Sequence, residues 1–367
     1  DGNWDRDTVD RAVWCLEERQ LELRALVEEF GQPNARTVQE AVAAATNLRA
    51  PAECTDADLL ARQPAPPPYD HEALAAVRAQ LSRAHILGLS GNYKDALAMA
   101  TAARERAQEF PAWPQLWAAA RALEGSLLKD LGEYSAAETA SHEAHVAAIR
   151  LSAWDLAMST ASTLIFTVGY QRAQHDDGRA WAEHARAMAV HAGDPLGLRE
   201  AGRLNNLGLV QQAAADYAAA RRSHEKALEI RRMALGDTHP HVAASLGNLG
   251  QAHESMGSHA RAQAMQEAAL AIFEDSLTPA HPSVAQCLYD LANVHRSMGD
   301  PTKARALHER ALDIRQAALG LEHPTVATSM GSLASVYESL GMQTAAKALY
   351  ERSSALLEHS LGPEHPY

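Results

Sequence analysis

Aromatic side chains are scarce, at 5% of 367 residues, whereas apolar residues reach 47% and are dominated by alanine and leucine. That balance favours helices over a β-rich propeller or sandwich, whose strands draw on aromatic and β-branched side chains. Basic charge is also short, with a formal net charge of −13. Nucleic-acid binders present a concentrated basic face, so a phosphate-backbone partner is excluded. No apolar run approaches the roughly 20 residues that span a bilayer, and the most apolar window, "STLIFTVGY" from Ser162, is far shorter. The expectation is no membrane insertion by this chain. The chain begins at Asp1 without a signal-peptide pattern, which reads as a part excised from a longer protein. GxSxG, Walker, HExxH and paired CxxC motifs are missing, so neither catalysis nor a cofactor nor a metal is expected.

What the sequence does contain is a period. His-Pro pairs stand at His239-Pro240, His281-Pro282, His323-Pro324 and His365-Pro366, each step being 42 residues. The rest of the unit repeats with them: Leu249, Leu291 and Leu333, then Gly250, Ala292 and Ala334, then a turn glycine at Gly257, Gly299 and Gly341, then Ala262, Ala304 and Ala346. The order predicts helix, turn, helix. Small residues let antiparallel helices approach, glycine supplies the turn, and aliphatic residues at helical spacing cover the seam. Proline suits the first helical turn and disfavours the α region for the residue before it, so each His-Pro pair marks a helix start. Equivalent histidines in a stacked array sit about 10 Å apart per helix crossed, whereas zinc ligands converge to about 2 Å from one point. The histidines are therefore punctuation rather than a metal site. Toward the amino terminus Ala215 and Ala173 follow at 42, and Gly132 and Gly91 at 41, giving seven units from about Val77 to Leu361.

Several of these features resemble the tetratricopeptide repeat: Leu207-Gly208 and Leu249-Gly250, the turn glycines Gly91 and Gly132 with Tyr93 and Tyr134 two residues on, and Ala96 and Ala137 five residues after each glycine. The 42-residue step and the linkers "LGDTHPHVA" and "LGLEHPTVA" resemble the longer variant of kinesin light chains; "LTPAHPSVA" has Thr278 where they have glycine. The resemblance implies an all-α fold, a right-handed superhelix (α-solenoid) of about seven repeats over 77–367, with an eighth truncated at "LGPEHPY". HEAT-like helical repeats are the alternative fold. A concave groove is implied, holding a protein or peptide partner, with Asn206 and Asn248 facing it and Asp290 in the next equivalent place. Helical spacing brings Asn205, Gln251, Tyr289, Asn293, Arg296 and Glu338 to the same side.

Ahead of the array, Val9, Val13, Leu16, Leu23, Leu26 and Phe30 form one helical stripe, and a second helix to about Arg49 completes an expected helical hairpin over 1–60. Pro64, Pro66, Pro67 and Pro68 mark a stiff linker at 61–76. Two helices of about 22 Å and 21 Å bring Cys54 near Cys15. They either form a disulfide, in an oxidising compartment, or remain two inert buried thiols. Cys287 reads as a core residue.

The stretches "CLEERQLELRALVEEF", "ECTDADLL", "VGYQRAQHDDGRAWAEHA" and "LNNLGLV" resemble the region carboxy-terminal to the kinase domain in multidomain, myxobacterial-type bacterial serine/threonine kinases. That resemblance implies a sensor or partner-binding role outside the cytoplasm, with any kinase activity in a domain absent here. A free-standing adaptor is the alternative, as is a structural oligomer joined through the uncapped last repeat.

Overall fold

The computed structural model describes residues 4–31, 45, 48, 51–61, 71–89, 92–194, 196–277 and 279–361. Among them the fold is all-α, without a strand. The chain forms two compact units, Asp1–Ala213 and Ala214–Tyr367.

The first unit opens with α1 (Arg6–Phe30), a 3₁₀ turn (Pro51–Thr55) and α2 (Ala57–Ala61). It continues with α3 (His71–Leu89), α4 (Tyr93–Ala107), α5 (Pro114–Asp130), α6 (Tyr134–Arg150), α7 (Trp154–Leu164), a π-helical stretch (Ile165–Gln171), α8 (His175–Ala192) and α9 (Leu198–Ala213). Each helix from α3 to α8 packs against its successor. The second unit holds α10 (Tyr217–Leu235), α11 (Pro240–Ser255), α12 (His259–Ser276), α13 (Pro282–Ser297), α14 (Pro301–Leu319), α15 (Pro324–Ser339) and α16 (Gln343–Leu361), again each against the next.

The repeat chemistry accounts for this packing. Ala262 and Ala269 on α12, and Ala304 and Ala311 on α14, seven residues apart on one face, are fully or almost fully buried. A side chain as small as alanine lets backbones close to about 8–10 Å. Gly250 shows how little room remains: a Cβ there would lie 3.0 Å from Gln266 Nε2. The turn residues Gly132, Gly257, Gly299 and Gly341 have φ of 81°, 73°, 81° and 77°. Ala173 and Ala215 occupy the same turn position at φ 55° and 60°, a region where a Cβ is penalised.

The His-Pro pairs begin α11, α13 and α15, with proline in the first turn. His239, His281 and His323 have ψ of 140°, 139° and 136°, and each imidazole Nδ1 accepts the backbone N–H two residues on, at 3.1, 3.0 and 3.2 Å. Histidine is thus the N-cap itself, satisfying one of the four helix-start donors that lack an internal partner. The fourth pair, with the truncated eighth unit, lies outside the described residues, as do Gly91 and Thr278. So does most of the expected second hairpin helix, along with residues 62–70 of the expected linker; α3 begins within that linker at His71.

Cys15 and Cys54 are joined by a disulfide, with Cα atoms 5.5 Å apart, packed beside Ala12 and Leu60. Cys287 is buried on α13 and its thiol donates to Gln266 O at 3.1 Å; burial pushes its pKa up. The α1 stripe departs from expectation. Leu26 is buried and Phe30 half-buried, but Val9, Val13, Leu16 and Leu23 face solvent.

Candidate functional site

In the first unit a cleft of about 550 Å³ opens between α5, α7 and α9. Lys129 comes from the end of α5, Asp155, Ser159, Ser162 and Thr163 from α7, Phe166 from the π-helical stretch, and Arg199, Gly202, Asn205 and Asn206 from α9. The π stretch shapes this wall. Its Gly169 rests so closely on α8 that an added Cβ would lie 2.6 Å from Gly178 Cα, and the converse distance is 2.5 Å. Two glycines therefore permit the contact, and such π turns recur at functional sites. Ordinary helical spacing is lost over this stretch, and of the cleft's lining residues Phe166 lies within it.

The cleft's polar groups are held in place. Asn206 Nδ2 donates to Ser162 O and to Ser162 Oγ, both at 3.0 Å. Arg199 meets Asp155 at 3.3 Å and donates to Gly193 O at 3.0 Å. Arg203, almost fully buried, grips Glu200 through two hydrogen bonds of 2.7 and 2.6 Å. Lys129 pairs with Asp130 and stands 5.8 Å from the Phe166 ring. Hydroxyls, amides and cations over an apolar floor of Met158, Phe166 and Leu209 can hydrogen-bond an extended backbone and bury a side chain.

The second unit carries a different arrangement. Gln251 on α11 donates to Asp290 on α13 at 2.7 Å, and Gln286 donates to the same carboxylate at 3.0 Å. Arg315 on α14 donates to Gln286 Oε1 at 2.6 Å and Ser329 Oγ at 2.5 Å, and lies 4.6 Å over the Tyr289 ring. Tyr289 in turn shares a 2.8 Å hydrogen bond with Ser332 on α15. Burial raises the Asp290 pKa to about 6 against the opposing hydrogen bonds from Gln286 and Gln251 and the charge of Arg315.

The residues expected to face a groove fall in both units. Asn205 and Asn206 line the cleft of the first unit. In the second unit Asn248, Gln251, Tyr289 and Asn293 are half-buried, Asp290 is buried, and Arg296 and Glu338 are exposed. Gln251 and Asp290 are joined across α11 and α13, and Tyr289 is joined to Ser332 on α15, which spacing alone did not reveal. Sequence reasoning also missed Lys129, Asp155, Ser159, Ser162 and Arg199. They sit in the units where the repeat signature is faintest. Among the described residues no group of three or more histidine, cysteine or acidic side chains could hold a metal.

The tetratricopeptide-repeat family model matches residues 200–275 and 283–359. Both segments are tetratricopeptide repeats. No curated protein matches the chain. Among solved structures, the repeats resemble the Rap conjugation gene regulator of the plasmid pLS20 in complex with the Phr* peptide, with 13% identity, 96% of this chain and 99% of that one covered, and a TM-score of 0.62. A Rap protein complexed with Competence and Sporulation Factor is 14% identical over 78% of this chain and 77% of that one, with a TM-score of 0.57. BtubC (BKLC) from P. vanneervenii is 26% identical over 62% of this chain and 92% of that one, with a TM-score of 0.48. At such identities the likeness to the Rap proteins is one of fold: a tetratricopeptide-repeat scaffold.

Proposed function

We propose that this scaffold binds a peptide or an extended protein segment, and that the cleft between α5, α7 and α9 receives it. The observation that carries the reading is the composition of that cleft: paired amide and hydroxyl donors and acceptors beside an apolar floor, in about 550 Å³. The Rap conjugation gene regulator, of similar fold, is in complex with a peptide, which supports the same class of ligand here. Gly202 supplies the test. A Cβ at Gly202 would meet nothing within 4 Å, so a side chain can start there without strain, and Gly202→Trp sets a bulky group at the cleft's lining. Peptides selected on the wild type from a displayed library are expected to lose at least about tenfold affinity, roughly 1.4 kcal/mol, for Gly202→Trp at unchanged Tm. Equal affinity for both proteins refutes the cleft.

A finer reading makes this scaffold the sensor or partner-binding region of a bacterial serine/threonine kinase signalling protein, displayed outside the cytoplasm. The resemblance around "CLEERQLELRALVEEF" supports it, and so does the Cys15–Cys54 bridge, since disulfides persist in oxidising compartments. A full-length reading frame without an upstream kinase domain would remove it in favour of a free-standing adaptor.

A further inference from the structure

The exposed stripe of α1 follows a heptad. Val9, Leu16, Leu23 and Phe30 occupy d positions, and Val13, Gln20 and Val27 occupy a positions, with alternating steps of four and three throughout. A helix that packs broadly on a globular body shows a wider apolar face than this. Val9, Val13, Leu16, Leu23 and Val27 are 41%, 50%, 44%, 54% and 61% exposed. Apart from Phe30, which packs beside Ala25, Leu26 and Ile86, the helix docks on its own unit by other positions. Ala12, Cys15, Ala25 and Leu26 are buried there, and Arg78 of α3 lies 3.4 Å over the Trp14 ring and donates to Trp14 O at 2.9 Å. The seam is therefore additional to what anchors α1. Nor do the described residues of the following segment cover it, because Ala45 is exposed and Leu48 packs against the cluster of Ala25, Leu26 and Ile86.

We propose that this seam pairs with the seam of a second copy of the chain, as a parallel two-stranded coiled coil of α1 against α1. β-Branched residues at a (Val13, Val27) with leucine at d (Leu16, Leu23) are the combination that favours two parallel strands. Gln20 is the single polar residue in the run. A lone polar a position sets register and strand number, and facing glutamine amides donate to and accept from each other. Within the Val9–Phe30 run the like-charge encounter of a parallel pair, Arg19 with Arg24 of the second copy, is relieved at its source. Arg19 is turned inward, 9% exposed, and paired with Glu22 at 3.2 Å and Glu18 at 3.4 Å. A lipid surface fits worse, because the seam is flanked by exposed Asp10, Glu17 and Glu28, whereas membrane-lying helices carry basic flanks. The run from Val9 to Phe30 makes a seam about 33 Å long. A strip about 12 Å wide on each partner buries roughly 800 Å² in total, in the range of weak association, so the affinity belongs in the micromolar range.

Sedimentation equilibrium of the full chain between about 1 and 100 µM tests this. The wild type is expected to pass from monomer to dimer. Leu16→Asp with Leu23→Asp is expected to weaken the dimer at least about 100-fold at unchanged helicity and Tm, because both side chains face solvent. Tyr350→Asp, on exposed α16, is expected to leave dimerisation as it is. Val13→Cys is expected to form an interchain 13–13 bridge on mild oxidation, as only a parallel, in-register pair allows. A wild type monomeric throughout overturns the proposal. So does a dimer indifferent to the Leu16/Leu23 changes, one abolished by Tyr350→Asp, or one without the 13–13 bridge.

Discussion

His308 makes a quantitative prediction about acid. It is fully buried on α14, both ring nitrogens lack a hydrogen-bond partner, and Tyr289 lies edge-on at 5.1 Å. Burial, followed by the charges of Arg296 and Arg315, lowers its pKa from 6.5 to about 4. Because the folded value lies below the unfolded one, the native state holds a neutral ring. Above about pH 6.5 this costs nothing; as pH falls from there toward 4, the unfolded chain takes up a proton that the folded chain refuses, and stability drops. With 1.36 kcal/mol per pKa unit, the loss at pH 5 is about 2 kcal/mol. The repeat supplies a control. Gln266 occupies the equivalent place one period earlier, also fully buried, and donates to Gly247 O at 2.9 Å. His308→Gln is therefore expected to keep the fold and to lose about 2 kcal/mol less stability than the wild type between pH 7 and 5. Denaturant unfolding at both pH values reads the difference, and an NMR titration of the His308 ring reads its cause. A ring midpoint near 6.5, or the same acid loss in wild type and variant, refutes the reasoning.

Two further perturbations follow from the backbone and the crosslink. Ala173→Gly and Ala215→Gly relieve φ of 55° and 60°, and after the entropy cost of glycine each is expected to stabilise by about 0.5–1 kcal/mol, raising Tm by a few degrees in a thermal melt; a lowered Tm contradicts this. Reducing the Cys15–Cys54 bridge, which closes a separation of 39 residues, is expected to cost up to about 4 kcal/mol on the chain-entropy model. The loss should appear as faster hydrogen exchange in α1, while exchange in α11–α16 stays as it was.

Much of the fold was legible from the 42-residue step because a repeat states the same local instruction many times. The turn at Gly257, Gly299 and Gly341 and the helix starts at Pro240, Pro282 and Pro324 depend on residues within one turn of themselves. Ala173 and Ala215 were aligned with the turn glycines, and they adopt the same positive φ without the glycine. The neighbouring structure imposes that conformation. The site was read less well. Asn205 and Asn206 were named through the repeat pattern, but Lys129, Ser159 and Ser162 lie on α5 and α7, where that pattern is faint, and only the packing of those helices beside α9 brings them to the cleft.

The sequence alone determined the all-α class, the period, the turns and the histidine-proline starts, because each arises from backbone preferences acting over a few residues. Only the tertiary structure decided that Gln251, Gln286 and Arg315 would converge around Asp290, that His308 would be sealed without a partner, and that the apolar stripe of α1 would face outward. Those outcomes depend on which helix is laid against which. A side chain's neighbours across a helix interface come from tens of residues away, and no local preference specifies them.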